Sequence, residues 1–417
     1  MNLPPTPRLM TSAALAAGFA AGLVAASPAE LSNPHGQAPP LRDARHTIVY
    51  TSGRNGYHTF RIPSVIVTSQ GTLLAFAEGR QRSQSDSGDI DLVLRRSTDQ
   101  GRTWGPMQIV WDDHGNTCGN PCAVLDRTTG RVWLLMTWNV GQDREPQVIA
   151  QTSQDTRRVF VTYSSDDGRT WAKPREITAS VKSQNWTWYA TGPGAGIQME
   201  HGPHAGRLVI PCDHIEAGTR RYYSHIIYSD DHGRTWRLGG TTPRPRVNEC
   251  EVAELPDGRL LLNMRNYDRS QPTRQMALSD DGGLTWHDQR HVPALLEPIC
   301  QASLRRYSWP GSRRQSILLF SNPAGRRREN LTVKASYDEG LTWPVARVLY
   351  PGPAAYSCLV KLPDGEVGCL YERGRQHPYE TIVFARFPLA ALGNPPPTAP
   401  LKCLPDAAQK EHRRDQP

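Results

Sequence analysis

Short apolar segments alternate with turn residues along most of the chain. Segments such as RVWLLMTW, GRLVIPC, GRLLLNMR and QSILLF are rich in branched and aromatic residues, and Pro, Gly or Asp residues separate such runs. No long segment repeats its apolar residues with the period of an amphipathic helix. The pattern therefore predicts an all-β protein.

An eight-residue pattern, Ser-x-Asp-x-Gly-x-Thr-Trp, occurs five times. The copies begin at Ser97, Ser164, Ser229, Ser279 and Ser336. In such a segment the Asp carboxylate can accept backbone N–H bonds, the Gly can adopt a positive φ, and the Thr-Trp pair can re-enter a strand and bury an indole. The repeat is predicted to hold hairpin turns together rather than to catalyse a reaction.

The spacing of the five copies predicts the architecture. Successive copies begin 67, 65, 50 and 57 residues apart, slightly more than the roughly 40–50 residues of a common four-stranded propeller blade. Residues 356–387 add further strand-like runs without a copy of the pattern. We therefore predict a six-bladed β-propeller of four-stranded antiparallel sheets over residues 46–390.

The two ends of the chain differ from this central region. Residues 1–30 have the pattern of an export signal, with Arg8 followed by an uncharged Ala-, Gly- and Leu-rich run. The alternative is a membrane anchor, but the run is shorter than the roughly 20 residues of a spanning helix. We expect export to a periplasm, the medium or a lumen, with no stable membrane span. Residues 31–45 are predicted to be a linker, and residues 391–417 a flexible tail.

Composition restricts the partners and cofactors. The 417-residue chain has a formal net charge of +8, which favours anionic partners, but it has no Lys/Arg-rich helix or aromatic-basic pattern typical of nucleic-acid binding. Its eight Cys and thirteen His lack metal-ligand spacing, so we predict no metal and no other cofactor. Cys118 and Cys122 could close a small disulfide loop or be buried thiols.

Further motifs resemble those of the exo-α-sialidases (neuraminidases) of bacteria and animals, whose repeats are known as Asp boxes or BNR repeats. The resemblance extends from about Thr47 to Phe387, and its motifs occur in the family's order. They are YHTFRIPSVIV, LLAFAEGR, WYATGPGAGIQ, NECEVAEL, LLLNMRN, RENLTVKASYDEG and AYSCLVKLPDG. The resemblance implies a retaining hydrolase that removes terminal α-linked sialic acids from glycoproteins, glycolipids and oligosaccharides.

The resemblance also implies a cluster of arginines. Sialic acid carries a carboxylate on its anomeric carbon, and guanidinium groups can bind such a group bidentately. Arg61, Arg265 and Arg328 match the three arginines of the family that bind this carboxylate. Arg80, at the end of LLAFAEGR, matches a further arginine on the same side of the sugar.

The implied catalytic residues include a tyrosine nucleophile, for which sialidases are an exception among glycosidases. Tyr356 matches that tyrosine, and Glu249 matches the base that activates it. Glu251 competes with Glu249 for this role, because residues two apart lie on the same face of a strand. Asp86 matches the acid/base that protonates the leaving oxygen, and Asp89 in the same loop is the alternative.

Substrate specificity is less constrained by the sequence. Trp138, Asn139, Asp143 and residues 186–189 are candidates for the pockets around the N-acetyl and glycerol groups, although the tryptophans could equally be packing residues. Two other functions stay open: hydrolysis of a related ulosonic acid that lacks the N-acetyl group, and glycan binding without catalysis.

Overall fold

The computed structural model describes residues 38–312 and 315–393. The predicted export signal and residues 394–417 of the predicted tail lie outside this part of the chain. Within the described residues, no helix has the length and apolar character required to cross a membrane.

Strands form most of the described chain, and the prediction of an all-β protein is confirmed. The strands in chain order are β1 (Arg45–Thr51), β2 (Thr59–Val67), β3 (Leu73–Arg80), β4 (Ile90–Ser97), β5 (Gln108–Trp111), β6 (Thr117–Leu125), β7 (Val132–Asn139), β8 (Arg158–Ser164), β9 (Arg175–Glu176), β10 (Trp186–Thr191), β11 (Gly194–Ala195), β12 (Ile197–Gln198), β13 (Leu208–Glu216), β14 (Tyr222–Ser229), β15 (Arg237–Thr241), β16 (Val247–Glu254), β17 (Leu260–Asn266), β18 (Thr273–Ser279), β19 (His287–Leu296), β20 (Ser303–Ser308), β21 (Ile317–Pro323), β22 (Glu329–Ser336), β23 (Val345–Lys361), β24 (Val367–Arg373) and β25 (Thr381–Phe387). Two short helices, α1 (Glu145–Ala150) and α2 (Thr178–Val181), and a 3-10 helix (Leu389–Leu392) complete the described elements.

These strands pair into sheets of seven, five, nine and four strands. The nine-stranded sheet is joined at its middle by a single parallel residue pair, Ile90 with Thr117. The seven-stranded sheet is continuous because the 17-residue strand β23 pairs first with β22 and then with β24. The hydrogen-bonded sheets therefore do not separate into six sheets of four strands each.

Strand β1 joins the beginning and the end of the described chain. It pairs antiparallel with β25, from Arg45 opposite Arg386 to Thr51 opposite Thr381. Leu41, inside the predicted linker, is also buried, and its N–H donates to the carbonyl of Val348 over 2.8 Å. The last residues before β1 thus pack against strands formed by the end of the chain.

The five Asp boxes share one hydrogen-bond pattern. In the second box, Ser164 Oγ donates to Asp166 Oδ1 (2.8 Å) and accepts the N–H of Gly168 (2.9 Å). Thr170 donates its N–H to Oδ1 (2.9 Å) and its hydroxyl to Oδ2 (2.6 Å) of the same Asp166. The equivalent bonds in the other four boxes differ from these by no more than 0.1 Å. The Asp carboxylate therefore closes each turn.

Two boxes illustrate why the fifth position is glycine. Gly101 has φ +83°, and a Cβ there would lie 2.2 Å from the ring of Phe384 in β25. Gly233 has the same φ, and its Cβ would lie 2.1 Å from the indole of Trp133 in β7. A side chain would be strained by the backbone and would collide with a ring. These boxes thus pack tightly on strands that come from other parts of the sequence.

The described cysteines are buried and free. They are Cys118, Cys122, Cys212, Cys250, Cys300, Cys358 and Cys369. Of the two alternatives for Cys118 and Cys122, the structure contains buried thiols.

We expect Asp166→Ala to lower the free energy of unfolding by about 1–2 kcal/mol, because it removes the acceptor that closes a turn. Burial raises the pKa of Asp166, but the bonds from Thr170 and Ser164 lower it more, to about 2. A pKa below that of the unfolded chain stabilises the fold at neutral pH, and this contribution is lost as the pH falls towards 2. Urea unfolding at pH 7 and at low pH measures both effects.

Ser165→Ala, one residue away, is the control and should change the free energy of unfolding by less than about 0.5 kcal/mol. Equal effects of the two substitutions would contradict the role of Asp166.

Candidate active site

One cavity of about 340 Å³ brings together all seven predicted site residues. They are Arg61, Arg80, Asp86, Glu249, Arg265, Arg328 and Tyr356. The other residues that line it are Ile62, Glu78, Gln84, Asn120, Glu145, Arg157, Trp188, Ala190, Asp213, Asn248, Tyr267 and Tyr379. The cavity therefore has guanidinium, carboxyl and phenol groups within one small volume.

Irregular pairing occurs where several strands reach this cavity. The register shifts between Arg61 and Ser64 in β2, between Val247 and Cys250 in β16, and between Ala354 and Ser357 in β23. Such bulges re-aim side chains and are common beside active sites. The shifts include or flank Arg61, Glu249 and Tyr356, so local breaks in the strand geometry help to direct these side chains to the cavity.

Tyr356, Glu249 and Arg265 form a contact triad. The hydroxyl of Tyr356 donates to Glu249 Oε1 over 2.6 Å. Arg265 Nη1 donates to Glu249 Oε2 over 2.6 Å and to the Tyr356 hydroxyl over 3.0 Å. The phenol thus has a carboxylate ready to accept its proton and a cation beside its oxygen.

Burial and charge act in opposite directions on this phenol. Burial raises the pKa of Tyr356 well above its usual value, and the charge of Glu249 raises it further, whereas Arg265, Arg328 and Arg61 oppose this shift. The hydroxyl is therefore protonated in the free protein at neutral pH. Tyr356 could act as a nucleophile only if its proton moves to Glu249 during attack.

A buried carboxylate, Glu372 in β24, holds Arg61 and the backbone of Tyr356. Its Oε1 accepts Arg61 Nε (2.7 Å) and the N–H of Ile62 (2.9 Å), and its Oε2 accepts the N–H of Tyr356 (3.1 Å). Ile62 has φ +61°, an uncommon conformation for a β-branched residue. The bond to Glu372 helps to maintain this strained backbone conformation within β2, next to Arg61.

Arg328 is oriented by two groups at the cavity wall. Its Nη1 donates to the hydroxyl of Tyr379 (2.6 Å), and its Nη2 donates to the carbonyl of Ile299 (3.3 Å). The guanidinium carbon of Arg61 lies 4.0 Å from the centre of the Tyr379 ring. Tyr379 therefore contacts two of the three predicted carboxylate-binding arginines.

Asp86 lies against two of the arginines, Arg80 and Arg61. Its Oδ1 is 2.7 Å from Arg80 Nη2 and 3.8 Å from Arg61 Nη1, and its side chain is 66% exposed. Burial raises its pKa, but Arg80 and Arg61 lower it more, so the net pKa is below the usual value. Arg80 is held in turn by Glu78 Oε2 over 2.6 Å.

The competing carboxylates lie outside the cavity lining. Glu251 is buried and accepts bonds from Ser303 Oγ (2.8 Å) and from the backbone N–H groups of Leu304 (2.7 Å) and Ala195 (3.2 Å). Asp89 is in the same loop as Asp86 but does not line the cavity. Among these pairs, the structure brings Glu249 and Asp86 to the cavity.

Only one of the candidate specificity residues lines the cavity directly, namely Trp188. Trp186 stacks on His214 at 3.4 Å between ring centres and belongs to the core. Asn139 supports the wall from behind, because its Oδ1 accepts Arg157 Nη1 over 2.9 Å. Trp138, Asp143 and the two neighbours of Trp188, Thr187 and Tyr189, do not line it.

Three charged residues that line the cavity were not among the predicted site residues, namely Glu145, Arg157 and Asp213. Asp213, in β13, is fully buried; Asn248 Nδ2 donates to its Oδ1 over 2.6 Å, and its Oδ2 has no hydrogen-bond partner. Burial, and then the charges of Glu249 and Glu145, raise the pKa of Asp213 well above its usual value. A charged residue within the apolar run LVIPCDHIE was the signal that could have revealed Asp213.

A larger cleft of about 990 Å³ lies at the other ends of the same strands. It is lined by the last residues of β2, β6, β16 and β23, whereas the candidate site includes residues nearer the starts of β2, β6 and β16 and, in β23, Tyr356. Among the described residues, no group of three or more His, Cys, Asp or Glu side chains is arranged to hold a metal ion.

Comparison with known proteins identifies the family. Residues 71–369 match the BNR repeat-like domain family. The chain is 37% identical over 403 residues to a sialidase from Micromonospora viridifaciens, which aligns 93% of this chain and 60% of that protein. It is 31% identical over 366 residues to Sialidase-2 of Mus musculus, covering 81% of this chain and 94% of that protein.

A solved structure agrees with these relatives. The structure named Hadza microbial sialidase Hz136 matches this fold with a TM-score of 0.74 at 33% identity, covering 83% of this chain and 69% of that chain. Solved sialidases are β-propellers, and this all-β chain matches them. The chain belongs to the sialidase family with BNR repeats. It spans 60% of the length of the Micromonospora relative.

We expect Glu372→Gln to lower the free energy of unfolding by about 3 kcal/mol, because it leaves the buried guanidinium of Arg61 without its nearest carboxylate. Urea unfolding followed by tryptophan fluorescence measures this loss. Glu176→Gln is the matched control, since Glu176 pairs with Arg158 at the surface (3.3 Å) and should contribute less than about 1 kcal/mol. Similar small losses in both variants would show that Glu372 is not required to hold Arg61.

Proposed function

We propose that the protein is a retaining exo-α-sialidase that hydrolyses terminal α-linked sialic acids of glycoproteins, glycolipids and oligosaccharides. One observation carries the proposal: the Tyr356 hydroxyl lies 2.6 Å from Glu249 and 3.0 Å from Arg265 in a cavity that Arg61 and Arg328 also line. A phenol with its own base beside several guanidinium groups suits attack on a carbon that bears a carboxylate.

The arginines bind the substrate carboxylate in this proposal. Arg61, Arg265 and Arg328 form the clamp, and each is pre-oriented by a separate partner: Glu372, Glu249 and Tyr379. Preorganised donors bind an anion without first losing conformational freedom. Arg80 contributes further positive charge on the same side and holds Asp86.

The first chemical step joins Tyr356 to the sugar. Its oxygen forms a bond to the anomeric carbon while its proton moves to Glu249. The bond from that carbon to the leaving oxygen breaks, and Asp86 gives this oxygen its proton. A neutral phenol approaches the carboxylate-bearing carbon with less repulsion than a carboxylate nucleophile would.

The second step reverses these proton transfers. Asp86, now ionised, takes a proton from water, and the water oxygen bonds to the anomeric carbon as the bond to Tyr356 breaks. Glu249 returns the proton to the phenol oxygen. Two displacements at one carbon retain its configuration.

For Asp86 to act as an acid it must be protonated when substrate is bound. In the free protein Arg80 and Arg61 favour its ionised form. A substrate carboxylate on Arg61 would offset that positive charge and repel an ionised Asp86, so binding should raise the pKa of Asp86. Its 66% exposed side chain leaves room for such a change.

The strand pairing also supports a finer description of the fold, a six-bladed propeller. The six proposed blades are β2–β5, β6–β9, β10 with β13–β15, β16–β19, β20–β22 with the first half of β23, and the second half of β23 with β24, β25 and β1. In this interpretation β1 closes the ring by completing the last blade.

We also propose that the protein is exported, because residues 1–30 have the sequence pattern of an export signal.

The decisive experiment is release of a fluorophore from an aryl α-glycoside of N-acetylneuraminic acid. Tyr356→Phe and Arg265→Ala should each lower kcat/KM by about 1,000-fold or more, because they remove the nucleophile or a cation that contacts it. Tyr307→Phe is the control, since its hydroxyl bonds the carbonyl of Gly365 away from the cavity. If the folded parent protein shows no turnover, the hypothesis that N-acetylneuraminic acid glycosides are its substrates is rejected. The remaining hypotheses are then hydrolysis of a related ulosonic acid and glycan binding without catalysis. Full activity of Tyr356→Phe would reject the nucleophile.

Asp86→Asn tests the general acid through the leaving group. An aryl leaving group departs with little help from a proton, whereas a sugar hydroxyl needs one. The loss in kcat should therefore be about 100-fold greater for a sialylated oligosaccharide than for the aryl glycoside. Asp89→Asn is the matched control from the same loop and should show no such difference. Equal losses on both substrates would assign Asp86 to binding rather than proton transfer.

A further inference from the structure

Lys182, which directly follows α2, joins two segments behind the cavity wall. Its Nζ donates to Thr156 Oγ1 (2.6 Å), to the carbonyl of Arg157 (2.7 Å) and to the carbonyl of Thr187 (2.8 Å). Lys182 does not itself line the candidate active site. Its three bonds connect the two residues that precede β8 with the second residue of β10.

The segments that Lys182 joins carry two side chains that do line the site. These are Arg157, whose own carbonyl is one acceptor, and Trp188, which directly follows Thr187. The guanidinium carbon of Arg157 lies 4.0 Å from the centre of a Trp188 ring. Their separation therefore depends on the relative position of the two backbones that Lys182 connects.

We propose that Lys182 is a positioning residue that sets the affinity of the site for the part of the substrate remote from the anomeric carbon. It does so by holding Arg157 and Trp188 in one wall of the cavity. The inference rests on the proposed sialidase function. Tyr356 and Glu249 lie on other strands, β23 and β16, so a change in this wall should alter binding more than the attack on the anomeric carbon. Arg157 also lowers the pKa of Asp86, so the test uses an aryl glycoside, whose leaving group needs little help from that acid.

We call the three hydrogen bonds of Lys182 the brace. The brace depends on hydrogen-bond donors rather than on a full positive charge. Burial and the charge of Arg157 lower the pKa of Lys182 to about 7, while Asp155 opposes them; the buried His214 is the other titratable group that interacts with it. A neutral amine keeps two N–H donors for the two carbonyls, and its lone pair can accept the hydroxyl proton of Thr156. Both protonation states can therefore hold the two segments together.

Lys182→Met is the direct test, because it keeps the length of the side chain and removes every donor. We expect KM for the aryl sialoside to rise about tenfold while kcat stays within about twofold, as for lost uniform binding. The Kd of free N-acetylneuraminic acid, measured by calorimetry, should rise by the same factor. Because binding is measured separately, a parent without turnover still tests the brace. A parent that neither binds nor turns over would reject the proposed function and this inference together.

Lys334→Met is the matched control. Lys334 is another half-buried lysine whose Nζ donates to a backbone carbonyl, that of Ala294, but it does not line or brace the cavity. KM and Kd should stay unchanged in this variant. Unchanged KM and Kd in Lys182→Met, with an active parent, would overturn the inference and leave the proposed function intact.

A double-mutant cycle with Trp188→Leu separates positioning from general stability. If Lys182 acts through this wall, the effects of the two substitutions on Kd should not add. Once one substitution has disturbed the wall, the other has little further effect on it. Full additivity would overturn the inference. If Lys182→Met does not fold, Thr156→Val is the substitute. It removes one of the three bonds of Lys182, together with the longer bond of the Thr156 hydroxyl to the carbonyl of Thr187 (3.4 Å), and should produce a smaller rise in KM. An unchanged KM and Kd in that variant would also overturn it.

Discussion

The buried carboxylate of Glu372 is the constraint on which the candidate site depends. It has no exposed side-chain surface, so its charge must be satisfied inside the protein. The donors are the guanidinium of Arg61 and the backbone N–H groups of Ile62 and Tyr356. One group therefore fixes a predicted clamp residue, the strained backbone of Ile62 in β2 and the backbone of the predicted nucleophile. A shift of β24 would displace all three together.

The scaffold must bring β24 beside β2 for this to occur, although Arg61 and Glu372 are 311 residues apart in sequence. Two features hold the early and late strands together. Strand β1 pairs with β25, and the first Asp box packs Trp104 against Phe384 with 5.4 Å between ring centres. Neither feature includes a site residue. The boxes thus act on function indirectly, by keeping distant strands in register.

The all-β class and the turn function of the boxes could be predicted because both follow from local pattern. The seven predicted site residues could be chosen because each lies in a distinct motif of the family, and the structure brings all of them to one cavity. The sequence separates Glu249 from Glu251, the two candidates for the base, less clearly. Strict strand alternation puts both on one face, but the register shift between Val247 and Cys250 breaks that alternation next to Glu249. A bulge of this kind has no clear signature in the sequence.

The presence of Arg157 and Glu145 in the cavity could not be predicted for a related reason. Arg157 precedes a strand and Glu145 begins a helix of six residues, too short to show periodicity. Their role depends on tertiary placement alone. The cavity therefore contains carboxyl groups as well as guanidinium groups: the charge of Arg157 acts on Asp213 and Glu145, but burial is the largest cause of their shifts and raises the pKa of both. A raised pKa makes a carboxyl group easier to protonate, and in its neutral form such a group can donate as well as accept hydrogen bonds without repelling an anion. In the proposed function, Arg61, Arg265 and Arg328 would bind the substrate carboxylate while Asp213 and Glu145 would be available to its neutral polar groups, a division that a uniformly cationic pocket could not make as selectively.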